Sequence, residues 1–392
     1  MKNIGVIFGG VSCEHDVSIV TAVQLIENID RTKYKVYPIY IHSNGEWYVD
    51  EKLLNTKIYK EFDSYKLGLT KGYIAPNRPG IVINSKSFFG KENFIKLDVV
   101  IPALHGMNGE DGSVQGLLEL ANIPYTSSGI LGASVGMDKI LMKKVFEAHN
   151  LPVLPYTYFL RDEWVKENDK VISKIEEKIK YPMFIKPSNL GSSIGISKAS
   201  NKDELIVAIG IAASFDERII VEEGLENLKE VNCSAIGRAD DVKASVIEQP
   251  ISWKEFLTFD EKYMRGNKGV KASKNGMASM SRKVPADITK EQEKTIKKLT
   301  IEAFKALNSK GVVRIDYLIN NDDDKVYINE INTIPGSYAN YLWGHKYTFS
   351  EFLDMLIDLS AEEYIYKNKN KYTYKTEVLS AYSQGKLSGI KK

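Results

Sequence analysis

Two apolar runs, at residues 312–319 and 326–332, flank Asn320-Asn-Asp-Asp-Asp-Lys325, and this pairing constrains the fold more than any other stretch. Asn and Asp tolerate turn geometry, so the spacer predicts the turn of a β-hairpin. Side chains two apart on a strand share a face. Arg314 and Asp316 therefore project together, as do Glu330 and Asn332, and one surface collects a guanidinium, two carboxylates and an amide. Hard cations such as magnesium take oxygen ligands, commonly one or two carboxylates completed by phosphate oxygens. A guanidinium beside them can neutralise charge building on a transferring phosphoryl group. The plain alternative is a cross-strand ion pair on a wetted face. The run Asn332-Thr-Ile-Pro-Gly336 then stops the strand, and such a turn can aim backbone N–H groups at a reacting oxygen.

The rest of the chain alternates strands and helices. Ile4-Gly-Val-Ile-Phe8 reads as a buried strand turned by Gly9-Gly10, and Ile19, Ala22, Val23 and Ile26 recur at helical spacing. Strands follow at 36–41 and at Leu97-Asp-Val-Val-Ile101, and Val114, Leu117, Leu118 and Ala121 line a helix. Residues 44–96 read as irregular. Asp138 is placed to cap a helix whose apolar stripe is Leu141, Val145 and Ala148; Ile172, Ile175 and Ile179 mark another. Strands are expected at Met183-Phe-Ile-Lys-Pro187, Ile219-Ile-Val-Glu222, 231–237 and 243–248. A helix carries Ile296, Leu299, Ala303 and Leu307, a last one carries Phe352, Met355, Leu356 and Leu359, and a polar tail from Lys367 reads as frayed. This pattern predicts an α/β fold with a mostly parallel sheet. The 392 residues suffice for two to three domains.

Charge narrows the function. Lys and Arg total 53 against 51 Asp and Glu, which argues against a polybasic nucleic-acid or anionic-membrane binder. No run approaches the ~18–20 apolar residues of a membrane span. The N-terminal apolar run ends at a glycine pair and reads as a strand, not a signal peptide. Cys13 and Cys233 fit neither a disulfide framework nor a metal spacing, so a reduced cytoplasm is expected. The five histidines never pair at the spacing of zinc ligands.

Three further constellations sit at strand ends. Lys186-Pro-Ser-Asn-Leu-Gly-Ser-Ser-Ile-Gly195 places a lysine before a Gly/Ser loop, which lets backbone N–H groups approach phosphate; a simple turn with a solvated lysine is the alternative. Gly9-Gly-Val-Ser-Cys-Glu14-His-Asp-Val-Ser18 follows the first strand, where open α/β sheets bind ligands. Glu14 there could hold a substrate ammonium or serve only as helix N-terminal charge. His105-Gly-Met-Asn-Gly-Glu-Asp-Gly112 is a second loop of this kind, with His105 either functional or structural. The basic stretch 262–274 is either a lid over phosphates or a surface loop.

Taken in order, these motifs resemble the D-alanine–D-alanine ligases of the ATP-grasp superfamily, over nearly the whole chain to about Leu359. The resemblance implies a three-domain ATP-grasp architecture. A Rossmann-like, parallel-sheet substrate domain would span 1–136, with ATP-grasp subdomains at 137–221 and 222–366, a lid at 263–285 and a tail at 367–392. It implies an ATP-dependent ligase that activates a carboxylate as an acyl phosphate and forms D-alanyl-D-alanine for peptidoglycan precursors. Two magnesium ions (or manganese) would be held by Asp316, Glu330 and Asn332. Lys139, Lys186 and Lys262 would bind phosphates, Glu222, Glu223 and Leu225 the adenine, and Glu230 the ribose. Glu14 and His105 would bind the first D-alanine, Ser192 and Tyr263 would close the site, and Arg314 with the Gly336 N–H would stabilise the oxyanion. Tyr341 departs from the pattern: it stands near where the family carries a small hydroxyl residue for the second substrate. An altered acceptor, such as D-serine or D-lactate, is therefore the second reading, and a silent nucleotide-binding protein the third. The family also implies D-amino acids as substrates, a homodimer, and no nucleic-acid or membrane partner.

Overall fold

The computed structural model describes residues 1–83, 93–251 and 282–383. Its first part runs β1 (Lys2–Gly9), α1 (His15–Asn28), β2 (Tyr34–Ile41), β3 (Trp47–Val49), α2 (Ser64–Leu67), β4 (Gly72–Ile74), β5 (Gly80–Ile83), β6 (Asn93–Lys96), β7 (Val99–Pro102), α3 (Ser113–Ala121) and α4 (Ile130–Met137). Strand order is β3-β2-β1-β7, with β1 parallel to both β2 and β7. A strand flanked on both sides and covered on both faces needs an unbroken apolar run, and Ile4, Val6, Ile7 and Phe8 are all buried. The expected parallel sheet is present here.

Residues 44–96 are not irregular as expected. β3 pairs with β2, and β4, β5 and β6 form an antiparallel sheet of their own. Each of these strands is three or four residues long, too short for an alternation to register in sequence.

The middle part runs α5 (Lys139–Ala148), β8 (Tyr156–Leu160), α6 (Arg161–Lys166), α7 (Asn168–Glu176), β9 (Met183–Pro187), β10 (Ser197–Ala199), α8 (Lys202–Phe215) and β11 (Arg218–Glu223). The last part runs β12 (Leu228–Arg238), β13 (Asp241–Pro250), β14 (Arg282–Lys283), α9 (Lys290–Ala306), β15 (Gly311–Asn320), β16 (Val326–Asn332), a 3-10 turn (Gly336–Leu342), α10 (Phe349–Lys367) and α11 (Val378–Ser383). Their sheets, β10-β9-β11-β8 and β14-β13-β12-β15-β16, are antiparallel throughout. The mostly parallel expectation therefore holds only for the first sheet. In the later parts the chain returns by hairpins and antiparallel crossovers, which strand–helix alternation alone does not distinguish.

Two packing details position the site. Asp138 caps α5 as expected, accepting from the N–H groups of Ile140 and Leu141 at 3.0 and 2.9 Å. The helix is rotated from its expected phase, however. Ile140, Met142 and Phe146 face inward with Lys139 and Lys143, while Leu141 is exposed. The second concerns α10, whose Phe352, Leu353, Leu356 and Ile357 join the core of the first sheet through Ile4, Val36 and Ile101. Ile334, Tyr338, Leu342 and Trp343 belong to that same core, so the chain after the hairpin is anchored against the N-terminal part. Lys367 reaches Glu119 in an ion pair, and the tail beyond it contains α11. Among the described residues no helix is long and apolar enough to cross a membrane.

Candidate active site

The hairpin forms as its sequence requires. β15 and β16 pair antiparallel with Arg314 opposite Asn332 and Asp316 opposite Glu330, so all four side chains lie on one face. Arg314 donates from Nε and Nη2 to the two Asp316 oxygens at 2.7 and 2.8 Å, a bidentate pair. Asn332 donates to Asp316 Oδ2 at 3.2 Å. Burial works against the Arg314 charge, but Asp316 more than compensates and holds its pKa well above the ordinary value. A register shift after Asp316 leaves Asn329 without a directly opposed residue. Strict alternation would turn Asn329 away from Glu330; the bulge instead lets its Oδ1 accept from Lys186 Nζ at 3.3 Å.

Lys186, near the end of β9, meets the hairpin from the middle sheet. Its Nζ donates to Glu222 Oε2 at 2.6 Å, and Lys143 Nζ lies 3.2 Å from the other oxygen of Glu222. Burial alone would raise the Glu222 pKa; Lys143 and Lys186 together hold it below the ordinary carboxylate range. Lys139 donates to the Leu190 carbonyl at 2.6 Å and lies 3.6 Å from Glu330 Oε2, which ties the Gly/Ser loop to the hairpin. Glu222 and Glu223 end β11, Leu225 follows them, and Glu230 sits on β12, so these four line the crossing from the middle to the last sheet. Lys262 and Tyr263, with the rest of the lid up to residue 281, lie outside the described residues.

The N-terminal loops close the other side. Ser192 donates to Glu14 Oε1, joining the loop after β1 to the loop after β9. Ser12 Oγ donates to the His105 carbonyl at 2.9 Å, and His105 Nε2 lies 2.8 Å from Thr21 Oγ1. Burial, aided by the Arg314 charge, pushes the His105 pKa down to about 4, so it faces the site as a neutral imidazole. Two glycines permit this convergence. A Cβ on Gly106 would lie 2.6 Å from Glu14 Oε2, and one on Gly191 2.9 Å from it. Gly106 also has φ +68°, a conformation L side chains disfavour. Gly106→Ala is accordingly expected to lower stability by about 1–3 kcal/mol and to displace Glu14. A melting curve and the KM for the first amino acid check both effects.

Glu110, in the same loop as His105, ties that loop to the hairpin's exit. It accepts from Gly106 N at 3.0 Å and from Ile334 N at 2.9 Å, bridging the His105 loop to the Thr333–Gly336 turn. Burial first, and then the Glu14 charge, push its pKa up to about 8. A carboxyl with a raised native pKa holds a proton that the unfolded chain has released, so stability falls as pH rises from about 4.5 to 8. Glu110→Gln should flatten that slope. A melting temperature that drops by about 2–4 °C more in the parent than in the variant between pH 5 and 8 is the expected result.

The turn beyond Pro335 is strained. Ser337, Tyr338 and Ala339 all adopt left-handed φ values of 50–54°, each costing roughly 1–2 kcal/mol for a residue with a Cβ. Side-chain contacts hold them there: Ser337 Oγ donates to Gln24 Oε1 at 2.6 Å and Tyr338 Oη to the Pro102 carbonyl at 2.5 Å. Gly336 opens this turn directly after the hairpin. Tyr341, at its far end, is not free. Its hydroxyl donates to Glu248 Oε1 at 3.3 Å, and the Arg282 guanidinium lies 3.9 Å from its ring centroid. Arg282 in turn pairs with Glu248 at 2.6 Å. Burial pushes the Tyr341 pKa up to about 12, with Glu248 adding to it, so it remains a neutral donor.

Sequence reasoning missed Lys143, Glu110, Asn329 and Glu248. Lys143 had a signal: it stands four residues after Lys139, on the same helix face. The other three are placed by long-range pairing that no local spacing encodes.

Two family models match this chain, the D-Ala-D-Ala ligase N-terminus over residues 3–128 and the D-Ala-D-Ala ligase C-terminus over residues 145–348. A D-alanine–D-alanine ligase of Staphylococcus epidermidis is 38% identical over 95% of this chain and 98% of its own length. One from Acetivibrio thermocellus is 38% identical over 93% and 96%. Among solved structures, the VanG D-Ala:D-Ser ligase of Enterococcus faecalis is 34% identical with a TM-score of 0.75, covering 92% of this chain and 99% of that one. The fold is thus the ATP-grasp type. The chain belongs to the D-alanine–D-alanine ligase family.

Proposed function

We propose that this chain joins two D-amino acids, D-alanine to D-alanine, at the expense of ATP, and so supplies the dipeptide for peptidoglycan precursors. The observation that carries the reading is the meeting of the Arg314–Asp316–Glu330–Asn332 face with Lys139 and Lys186 on one side, while Ser192 ties in the Glu14 loop and Glu110 ties the His105 loop to the hairpin's exit. A carboxylate is a poor electrophile, because it is anionic and would have to expel oxide. Attack of its oxygen on the γ-phosphorus of ATP yields an acyl phosphate and ADP. The amine of the second amino acid then attacks the acyl carbon, and phosphate leaves as the amide forms.

Each group has a place in this scheme. Glu14 holds the ammonium of the first D-alanine, with the neutral His105 beside it. Lys139, Lys186 and Lys262 take phosphates, Glu222, Glu223 and Leu225 hold the adenine, and Glu230 holds the ribose. Arg314 and the Gly336 N–H face the oxygen that becomes anionic when the amine adds, where preorganised donors act most strongly. Ser192, bonded to Glu14, and Tyr263 of the lid close the site against water, which would otherwise hydrolyse the acyl phosphate.

The donor set also suits divalent cations. Asp316, Glu330 and Asn332 are hard oxygen donors on one face, and two magnesium ions, or manganese, would be held there with phosphate oxygens completing the shell. Among the described residues no cluster of three acidic, His or Cys side chains could hold a metal ion. Both Asp316 oxygens accept from Arg314, and their remaining lone pairs would be the ones that hold a cation. When bound, the ions supply charge neutralisation at the triphosphate. This reading also takes the domain division 1–136, 137–221 and 222–366, a cytoplasmic site of action and a homodimer.

A second reading changes only the acceptor. Tyr341 is bulky and its hydroxyl already has a partner in Glu248, which favours an acceptor other than D-alanine, such as D-serine or D-lactate. One panel separates the two: ADP release and dipeptide mass measured with D-alanine, D-serine, D-lactate and larger D-amino acids. D-alanine taken over all others at neutral pH removes the second reading. ATP turnover with no coupled product would falsify the ligase itself.

A further inference from the structure

Glu222 is a buried carboxylate held between two lysines, and only one of the two retains appreciable exposure. Lys186 Nζ is 2.6 Å from its Oε2, and Lys143 Nζ is 3.2 Å from its Oε1. The side chains of Lys143, Glu222 and Lys186 are 0%, 2% and 10% exposed. Lys143 Nζ and Glu222 Oε1 meet as an ion pair at 3.2 Å, and neither has a well-aligned hydrogen bond among the described residues. Lys143 comes from the inward face of α5, next to Met142 and Phe146, where an apolar side chain would pack at lower desolvation cost.

We propose that Lys143 is a positioning residue for the nucleotide: it neutralises Glu222 from behind and so leaves the Lys186 charge available to phosphate. The inference rests on the reading above that Lys186 meets the phosphates. Its basis is the charge count. Lys186 and Glu222 alone form a pair with no net charge, and a dry neutral pair attracts an anion weakly. Adding Lys143 gives the cluster one net positive charge where water does not screen it. Lys186 must also loosen from Glu222 to reach a phosphate. A carboxylate already compensated by Lys143 releases it more readily than one that would be left bare. Lys143 touches no substrate itself. The Tyr156 ring, 5.7 Å from Lys143 Nζ, borders it on a further side.

The test is the affinity of magnesium ADP for the whole chain, measured by calorimetry, beside KM for ATP and kcat. Lys143→Met should weaken ADP binding about 10- to 100-fold and raise KM in step, with kcat changing less than about threefold. Lys143→Arg should retain most of the affinity. The double variant Lys143→Met/Glu222→Gln restores the net charge and should bind at least about threefold tighter than Lys143→Met alone. Parent-like affinity in Lys143→Met, or no recovery in the double variant, overturns the proposal in favour of a packing role. If Lys143→Met does not fold, Glu222→Gln with and without Lys143→Met makes the same comparison. With no Glu222 charge left to neutralise, the added substitution should then change binding less than about threefold, and a further loss of about tenfold or more overturns the proposal. Lys186→Ala separates the two inferences. Parent-like ADP affinity in that variant refutes the phosphate role of Lys186. Weak binding there beside an unaffected Lys143→Met refutes only the role of Lys143.

Discussion

Glu330→Gln is expected to reduce kcat/KM for ATP-dependent dipeptide formation by roughly 10³-fold or more while leaving the fold intact. Glu330 stands opposite Asp316 on the one face that gathers the hairpin's acidic and amide side chains. Its side chain is 22% exposed and its contact with Lys139 is long at 3.6 Å, so the isosteric amide disturbs little packing. The lost charge is what a divalent cation on the triphosphate would need. Circular dichroism and a melting curve close to the parent, beside dipeptide output at background, are the expected pair of results. Dipeptide output above a tenth of the parent's would remove Glu330 from the cation-binding set. A cell whose growth and wall composition are indifferent to the variant would favour a silent nucleotide-binding protein.

The second large effect belongs to Arg314→Met, and it has two separable parts. The guanidinium is buried and donates from Nε and Nη2 to the two Asp316 oxygens, with Nη1 outside that pair. Removing it leaves Asp316 with the Asn332 amide as its remaining partner in this cluster. Breaking a buried pair costs about 3–5 kcal/mol, and the partial exposure of Asp316 places the expectation nearer 2–3 kcal/mol. Catalysis should fall by about 10²–10³ from the missing oxyanion donor. The double variant Arg314→Met/Asp316→Asn should recover much of the melting temperature and none of the turnover. Recovery of both would mean that Arg314 serves only the fold and that the Asp316 charge is not needed for the cation.

The residues of this site were legible in sequence to different degrees, for physical reasons. Period-two spacing brings Arg314 to Asp316 and Glu330 to Asn332 without any tertiary information, because alternation is built into the strand. Glu14, His105 and Lys186 were readable as loop residues at strand ends, where an α/β sheet leaves room for ligands. The α5 stripe was read one position out of phase, since Lys139 and Lys143 face inward, and a pattern of apolar residues cannot register a buried lysine compensated by Glu222. Asn329 escaped because a bulge breaks the very alternation that placed its neighbours. The left-handed run at Ser337, Tyr338 and Ala339 has no glycine or asparagine to announce it; Gln24 and Pro102, more than 200 residues away, hold it in place. Residues 44–96 hid a sheet in strands too short to show a period.

Carboxylate activation by phosphoryl transfer is the step on which every assigned role depends, and oxygen labelling follows it atom by atom. D-alanine carrying ¹⁸O in its carboxylate is incubated with ATP, magnesium and the protein, and the released phosphate is analysed by mass spectrometry. Phosphate bearing one labelled oxygen per dipeptide formed is the predicted result, because the attacking carboxylate oxygen leaves bonded to phosphorus. Dipeptide accompanied by unlabelled phosphate would contradict an acyl-phosphate route and, with it, the catalytic roles of Lys186, Arg314 and the hairpin carboxylates.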